Sequence, residues 1–278
     1  MDKSKLEKTL KEFIQNSPEA CVKKEVALRP ELAGMRMFDE PIFGYSSASD
    51  PLFTEAKKPG IVGPHFMTPE EWLPGAKTVI TLYLPIAEHV RAANSQNMEW
   101  PAEEWMHCRI DGQAFQDAIC LFAEEFLKKE GFSAVAPMPN PRFARGNPEV
   151  TDKTDENYYS SNWSERHAAY VAGLGTFSLS KGIITLKGIA GRFLSVITTA
   201  EFEPDKRPYT GIHDYCNFCG VCARNCPVQA ISVEKKDKSH VLCSGFIMDT
   251  VAKKQPPYFG CGKCQIKVPC EKKAPTVK

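Results

Sequence analysis

Cysteine is concentrated towards the end of this chain of 278 residues, where eight of its 11 cysteines follow residue 210. Four of them form the run Cys216-x2-Cys219-x2-Cys222-x3-Cys226, followed directly by Pro227. Thiolates at this spacing are typical of [4Fe–4S] ligation, and in proteins with two clusters the fourth cysteine of the run ligates the other cluster. The sequence therefore predicts low-potential one-electron transfer.

A second cluster needs further thiolates, and Cys243, Cys261, Cys264 and Cys270 supply them. We expect Cys270 to join the first three cysteines of the run, because it follows the second cysteine loop as Cys226 follows the first. Cys226 would then join the other three. A structural zinc ion would suit a Cys-x2-Cys pair, but it does not explain the first run.

The sequence gives no indication of export. Its start, MDKSKLEKTLKEF, is charged and lacks the apolar stretch of a signal peptide. No run of 18 apolar residues predicts a membrane span. We therefore expect a cytoplasmic protein whose thiols stay reduced, and we expect the isolated Cys21, Cys108 and Cys120 to be core or incidental residues.

The chain is long enough for two domains. Residues 209–278 hold the eight clustered cysteines and predict a domain with two [4Fe–4S] clusters, whereas residues 1–208 suffice for a separate core. The net charge is +1, without a basic stripe. This balance does not favour nucleic acid as a partner, although it permits a local contact with tRNA.

The beginning of the first domain combines one helix with irregular chain. Leu6, Leu10 and Ile14 follow helical spacing and predict an amphipathic helix. Residues 30–66 are rich in Pro, Gly and Ser, and we expect them to be extended loop. A short helix should begin at Thr68, which precedes a proline and has a glutamate three residues later.

The middle of this domain alternates strand and helix patterns. Residues 77–86 are β-branched and apolar, as in a buried strand. A long helix is predicted to begin at the cap Asp111 and to end at Gly131, followed by a short strand over residues 132–137. Residues 139–161 are polar and rich in Pro and Asn, and we expect a long loop that covers a site.

A second helix and two strands complete the domain. Asn162 and Glu165 have the spacing of a capping box, in which Asn162 would cap the helix. The helix should end at the turn of residues 173–175. Strands are predicted over residues 183–186 and 192–199. The whole domain therefore belongs to the mixed α/β (α+β) class.

These residues resemble a known group of proteins. The segment 172–175, with Glu165 upstream, resembles the helix-to-turn motif of epoxyqueuosine reductases and reductive dehalogenases. Residues 73–80 are similar to a segment that opens the central sheet in epoxyqueuosine reductases. Residues 183–185 and 192–194 resemble a strand pair of the dehalogenases, and the cysteine region matches both. The resemblance spans roughly residues 70 to 270.

The resemblance implies a cobalamin-dependent reductase. In that family a nitroreductase-like α/β domain binds cobalamin base-off, and a ferredoxin domain with two [4Fe–4S] clusters delivers electrons to cobalt. The substrate would be an electrophile, such as an epoxide, an organohalide, another small molecule or a modified nucleoside. Ferredoxin or flavodoxin would be the electron donor. The alternatives are an electron-transfer protein that reduces the corrinoid of a partner, or a flavin in the α/β domain.

A proton donor follows from the same resemblance. Tyr159 stands where epoxyqueuosine reductases have a donor aspartate, and reductive dehalogenases use a tyrosine. Tyr159 or Tyr158 is therefore the predicted catalytic acid, with Asp155 as the fallback. The alternative is that both tyrosines only pack the loop.

The cofactor is predicted to bind on and after the glycine turn. Glycines would let the backbone approach the corrin, hydroxyls would bind its polar groups, and cations would meet its phosphate. The alternatives are a helix C-cap, a solvated turn and surface charge. The predicted residues are Gly173, Leu174, Gly175, Thr176, Ser178, Lys181 and Arg192.

The sequence also departs from the family. It ends soon after the last cysteine, whereas epoxyqueuosine reductases continue into helical repeats that help to grip tRNA, so we do not favour tRNA as a partner. It lacks the twin-arginine leader of respiratory dehalogenases, which favours the cytoplasm. Cys270 also follows Cys264 two residues later than is usual.

Overall fold

The computed structural model describes residues 2–276. Within them the helices are α1 (Lys3–Asn16), α2 (Pro51–Glu55), α3 (Pro69–Trp72), α4 (Glu88–Asn94), α5 (Glu103–Lys129), α6 (Glu165–Val171), α7 (Val221–Arg224), α8 (His240–Gly245) and α9 (Ala252–Lys254). The strands are β1 (Ile42–Ser47), β2 (Thr78–Pro85), β3 (Ala134–Val135), β4 (Gly175–Phe177), β5 (Ile183–Thr185), β6 (Gly191–Thr198), β7 (Ile231–Ser232) and β8 (Asp237–Lys238). None of the helices in this part of the chain is long and apolar enough to cross a membrane.

An antiparallel sheet of order β1-β2-β6-β3 forms the centre of the molecule. All residues of β2 are buried, because α1 and α5 cover one face of the sheet and α6 covers the other. The predicted strand over residues 77–86 is confirmed. Two hairpins, β4–β5 and β7–β8, lie outside this sheet.

The long helix α5 begins eight residues before its predicted start. Glu103 and Glu104 occupy its first turn, where carboxylates interact favourably with the helix dipole. Asp111 is therefore an interior residue and not a cap, and its carboxylate accepts a hydrogen bond from His107 Nδ1 at 2.6 Å. The predicted end is confirmed, since Gly131 follows the helix with φ of +88°.

Residues 30–66 are not a continuous loop, which corrects the prediction. They contain β1 and α2. Gly44 permits β1 to pack under the end of α6, because a Cβ there would lie 2.8 Å from the carbonyl oxygen of Ala172. The glycine and serines that suggested a loop are thus residues of an edge strand in close contact.

Two capping predictions have different outcomes. Thr68 and Glu71 form the predicted capping box at α3. Asn162 does not cap α6: Ser164 does, by accepting a hydrogen bond from the backbone of His167. Asn162 is instead used by the preceding loop, since its Nδ2 donates to the carbonyl of Arg142 at 2.8 Å.

The cysteine-rich segment packs directly on the β4–β5 hairpin. A shared hydrophobic core joins Leu179, Ile184 and Ile189 of the hairpin region with Tyr209 and Val268 of the segment. Packing is therefore continuous across residue 208, and the division into two domains there stays a prediction.

Candidate functional site

The first cysteine group surrounds one small cavity. Phe218 and Gly220 have left-handed backbone conformations, with φ of +52° and +72°. These conformations make the segment a tight loop, which places its cysteines around one space. Ile189 N donates to the carbonyl of Cys270 at 2.9 Å, which fixes the last cysteine beside the hairpin. The cavity is lined by Cys216, Cys219, Cys222, Cys264 and Cys270.

The second cysteine group lies next to the first. The thiols of Cys226 and Cys243 lie near Cys264, and those of Cys243 and Cys264 lie near Cys261. Burial, above all, raises the pKa of the Cys261 thiol to about 12. The backbone N–H of Ala230 donates to Cys226 Sγ at 3.3 Å, a contact that suits a ligating sulfur.

The donor chemistry fits two four-iron clusters. Eight cysteines supply enough thiols for two sets of four, and thiolates are the ligands that iron–sulfur clusters use. Cys264 lies where the two groups meet, since it lines the first cavity and is also near Cys226 and Cys243. Within residues 2–276 no three His, Cys, Asp or Glu side chains are placed around a single ion. The thiolates of a cluster bind different iron atoms of one iron–sulfide core. They are therefore farther apart than the ligands of a single ion.

A larger cleft adjoins the first cysteine cavity. Its volume is about 590 Å³, within the range of small-molecule sites. Ser178 and Leu179 line both the cleft and the cysteine cavity. The other walls are the α2 region, the loop over residues 159–161, α6, and the β7–β8 hairpin with the start of α8.

Three of the predicted site residues line this cleft: Tyr159, Ser178 and Lys181. The Tyr159 hydroxyl donates to the carbonyl of Lys153 at 3.0 Å, and its ring stacks on His240 with centroids 6.2 Å apart. Lys181 forms a 2.6 Å ion pair with Asp237. These contacts join the loop of Tyr159 to the start of α8, and Lys181 to the β7–β8 hairpin, around the cleft.

The other predicted acids are not among the lining residues. Tyr158 packs edge-on against Tyr159, with ring centroids 5.2 Å apart. Asp155 caps the 3-10 turn Glu156–Tyr158 by accepting from the backbone of Asn157.

The glycine turn has a packing role. Gly173 has φ of +78° and ends α6. A Cβ on Gly175 would lie 2.0 Å from the carbonyl oxygen of Ile184, so this glycine permits β4 to pair with β5. Leu174 is buried against Tyr83. None of these three predicted cofactor residues lines the cleft.

Two further predicted cofactor residues also lie elsewhere. Thr176 is fully buried, and its Oγ1 accepts from the backbone of Tyr215 at 2.9 Å. Arg192 belongs to β6, where its Nη2 donates to Gln113 Oε1 at 2.7 Å. Burial, and to a lesser degree the nearby Arg109, lowers the pKa of Arg192 to about 9.

Sequence reasoning missed most of the polar lining of the cleft. Three segments provide it: α6 with Arg166 and His167, the chain at His213, and the start of α8 with His240. Burial lowers the pKa values of His167 and His240 to about 4, so both are neutral at pH 7. The only available signal was the position of His213 three residues before Cys216, because no spacing pattern connects the others.

Glu165 is a second residue whose setting the sequence did not indicate. Both carboxylate oxygens are buried and have no hydrogen-bond partner among residues 2–276. Burial raises its pKa to about 7, despite the opposing effects of nearby Ser195 and Trp163.

The loop that carries Tyr159 is fastened to the cysteine-rich segment. The Glu156 carboxylate accepts from the backbone of His240 at 2.6 Å and of Val241 at 3.4 Å, and from the Ser239 hydroxyl. These groups form the start of α8, the helix that contains Cys243. We call this contact the Glu156 latch.

Comparisons with known proteins agree with this geometry. A family model described as "4Fe-4S binding domain" matches residues 209–232. The chain is 42% identical over 71 residues to the tetrachloroethene reductive dehalogenase of Desulfitobacterium hafniense, an alignment that covers 25% of this chain and 13% of the dehalogenase.

Solved structures extend the likeness to most of the chain. An epoxyqueuosine reductase matches 96% of this chain and 66% of its own, with a TM-score of 0.56 and 18% identity. A reductive dehalogenase, whose structure is said to suggest a mechanism for B12-dependent dehalogenation, matches 84% of this chain and 30% of its own, with a TM-score of 0.54 and 16% identity. The chain has the fold of these reductases. The resemblance predicted from the sequence is confirmed, while this chain spans only part of each relative.

Proposed function

We propose that this chain is an iron–sulfur reductase that uses two [4Fe–4S] clusters and base-off cobalamin to reduce an electrophilic substrate. The observation that carries the proposal is the shared wall of Ser178 and Leu179. Through this wall, a cleft of about 590 Å³ adjoins a cavity rimmed by cysteine thiols.

The cysteine ligands divide between the two clusters, which would supply one-electron transfer at low potential. We assign four thiolates to each cluster by the pairing predicted from the sequence, in which Cys270 completes the first set. The chain contributes short loops that fix the thiolates. The first cluster is assigned Cys216, Cys219, Cys222 and Cys270, and the second Cys226, Cys243, Cys261 and Cys264.

The residues of the cleft fit a corrin cofactor. Phe177, Leu179 and Tyr170 give an apolar wall, while Lys181 and Arg166 are cations suited to a phosphate. Arg192 lies away from the lining, so we assign the phosphate contact to these two cations. When bound, cobalamin would supply a cobalt centre that reduces or attacks an electrophile.

Tyr159 is the proposed proton donor, because it is the predicted acid that lines the cleft. To donate a proton, its hydroxyl must give up the hydrogen bond to the carbonyl of Lys153 and form one to the substrate. Tyr158 supports the ring of Tyr159 from one side. The substrate would be an epoxide, an organohalide, another small molecule or a modified nucleoside. A cytoplasmic location and a ferredoxin or flavodoxin donor remain predictions.

Turnover tests this proposal. Anaerobic protein loaded with iron, sulfide and cobalamin should consume members of a panel of aryl halides and epoxides with titanium(III) citrate as reductant. Omission of cobalamin, or the variant C216S, should abolish the reaction beyond that of free cobalamin. Loaded clusters without cobalamin binding or turnover would instead support the alternative, an electron-transfer protein for the corrinoid of a partner.

A further inference from the structure

Lys263 is a lysine with no exposed surface, placed between Cys261 and Cys264. Its Nζ donates to the carbonyl oxygen of Asn94 at 2.6 Å and to Asn94 Oδ1 at 2.7 Å. Lysine is almost never fully buried unless its charge is paired. This position therefore requires an electrostatic explanation.

Asn94 holds the lysine rigidly against the cysteine loop. It is itself fully buried and ends α4. Its Nδ2 donates to the carbonyl of Cys261 at 3.0 Å, and its Oδ1 also accepts from the backbone of Ala102 at 3.0 Å. The ammonium group consequently cannot move to solvent without breaking the contact between α4 and the loop.

No carboxylate compensates this charge. Among the described residues Lys263 has no ion pair with Asp or Glu within 4.0 Å, although lysines on the surface have many. Two neutral oxygens of Asn94 satisfy part of its hydrogen-bonding capacity. They do not neutralise a full positive charge, and a buried charge without a counter-charge is costly.

Four cysteine thiolates would provide the missing negative charge. We propose that Lys263 is the buried counter-ion of the second cluster and raises its reduction potential. The inference rests on the proposed function only in requiring that cluster. A nearby positive charge stabilises the reduced cluster more than the oxidised one, since the reduced form carries one more negative charge. The effect is large in a buried site because solvent screens it little.

The same loop offers a matched control. Lys267 is the same residue type, three residues from Cys264, but it is exposed. Its charge is screened by water and salt. If burial of the charge sets the potential, K263M and K267M should behave differently although both remove one lysine.

EPR-monitored redox titration of the fully loaded protein tests the proposal. K263M should shift the midpoint potential of one cluster to a more negative value and leave the other unchanged, while K267M leaves both in place and K263R retains the wild-type values. Lys263 could alternatively be only a cap for α4, in which case K263M would lower the melting temperature without moving either potential. That result would overturn the proposal.

A second variant covers the case in which K263M does not assemble. K263Q removes the charge but keeps a donor for Asn94, and it should show the same negative shift. An unchanged potential in K263Q with both clusters loaded would contradict the proposal. Failure of the wild-type protein to bind cobalamin would count against the proposed reductase, but it would leave the test of Lys263 intact.

Discussion

Tyr159 is the residue on which the proposed chemistry depends most. It lines the cleft, whereas its neighbour Tyr158 packs behind it. We expect Y159F to lower turnover by about 100-fold or more, the usual contribution of a general acid. Cluster and cobalt EPR signals should stay unchanged, because the hydroxyl contacts only the carbonyl of Lys153. Anaerobic steady-state assays measure the effect.

Y158F is the control for that experiment. It removes a hydroxyl from the same loop without touching the cleft, so turnover should fall by no more than a few-fold. Equal activity of Y159F and wild type would remove Tyr159 from the mechanism. Equal losses in the two variants would indicate a loop-packing role for both tyrosines.

His167 should make stability depend on pH. Its folded-state pKa of about 4 lies below the ordinary 6.5 because burial disfavours the charged ring. Between these values the unfolded chain binds a proton that the folded protein does not, so stability falls as pH falls. From pH 7 to 5 this single group costs about 2 kcal/mol.

Denaturation of the loaded protein by urea at pH 7 and pH 5, followed by tryptophan fluorescence, checks this effect. H167Q should lose less stability than wild type over the same interval, by about 2 kcal/mol. A pH dependence that is identical in H167Q and wild type would show that His167 is not held neutral by the fold.

At the scale of the structural elements, contacts with α8 hold the loop over residues 139–161 in place. The Glu156 latch joins the two, and Tyr159 stacks on His240 at the start of the same helix. Assembly of the cluster that includes Cys243 should therefore stabilise the loop. We expect hydrogen–deuterium exchange in the loop to become about tenfold faster in E156Q than in wild type.

Glu149 provides the comparison. It is an exposed acid of the same loop, and E149Q should exchange as wild type does. Removal of the clusters from the wild-type protein should raise the rate of hydrogen–deuterium exchange in the loop to the rate seen in E156Q. If E156Q and wild type exchange equally in the loaded protein, the latch does not order the loop.

The helices and strands also show which local signals were sufficient. The cap at Thr68 can be predicted from the sequence, because Thr68 is the single residue before α3 that suits a cap and Glu71 completes the capping box. Asn162 and Ser164 are both residue types that suit the cap of α6. The side chain of Asn162 is used in a hydrogen bond to the carbonyl of Arg142, and Ser164 is the cap. This tertiary contact is not visible in the sequence. Asp111 likewise suits a cap, but α5 continues back to Glu103 because Trp105 and Met106 are buried.

At the scale of the molecule, sequence spacing and tertiary contacts contribute differently to the site. Cys216, Cys219 and Cys222 lie within seven residues of one another, so their spacing predicts a common ligand. The cleft is built from His167, His240 and other residues of distant segments. No local pattern could predict that they meet. The resemblance to reductases indicates the fold. The cofactor contacts that it implies on the glycine turn stay a prediction, and Gly173, Leu174 and Gly175 do not line the cleft.

In the proposed reductase, one chain passes electrons through two clusters to a cofactor in the adjoining cleft. The most direct measurement is EPR of anaerobically reconstituted protein with bound cobalamin during stepwise addition of dithionite. We expect a base-off Co(II) signal, signals from two reduced [4Fe–4S] clusters, and loss of the cobalt signal as Co(II) is reduced to Co(I). Two cluster signals beside cobalamin that stays as in free solution would contradict it.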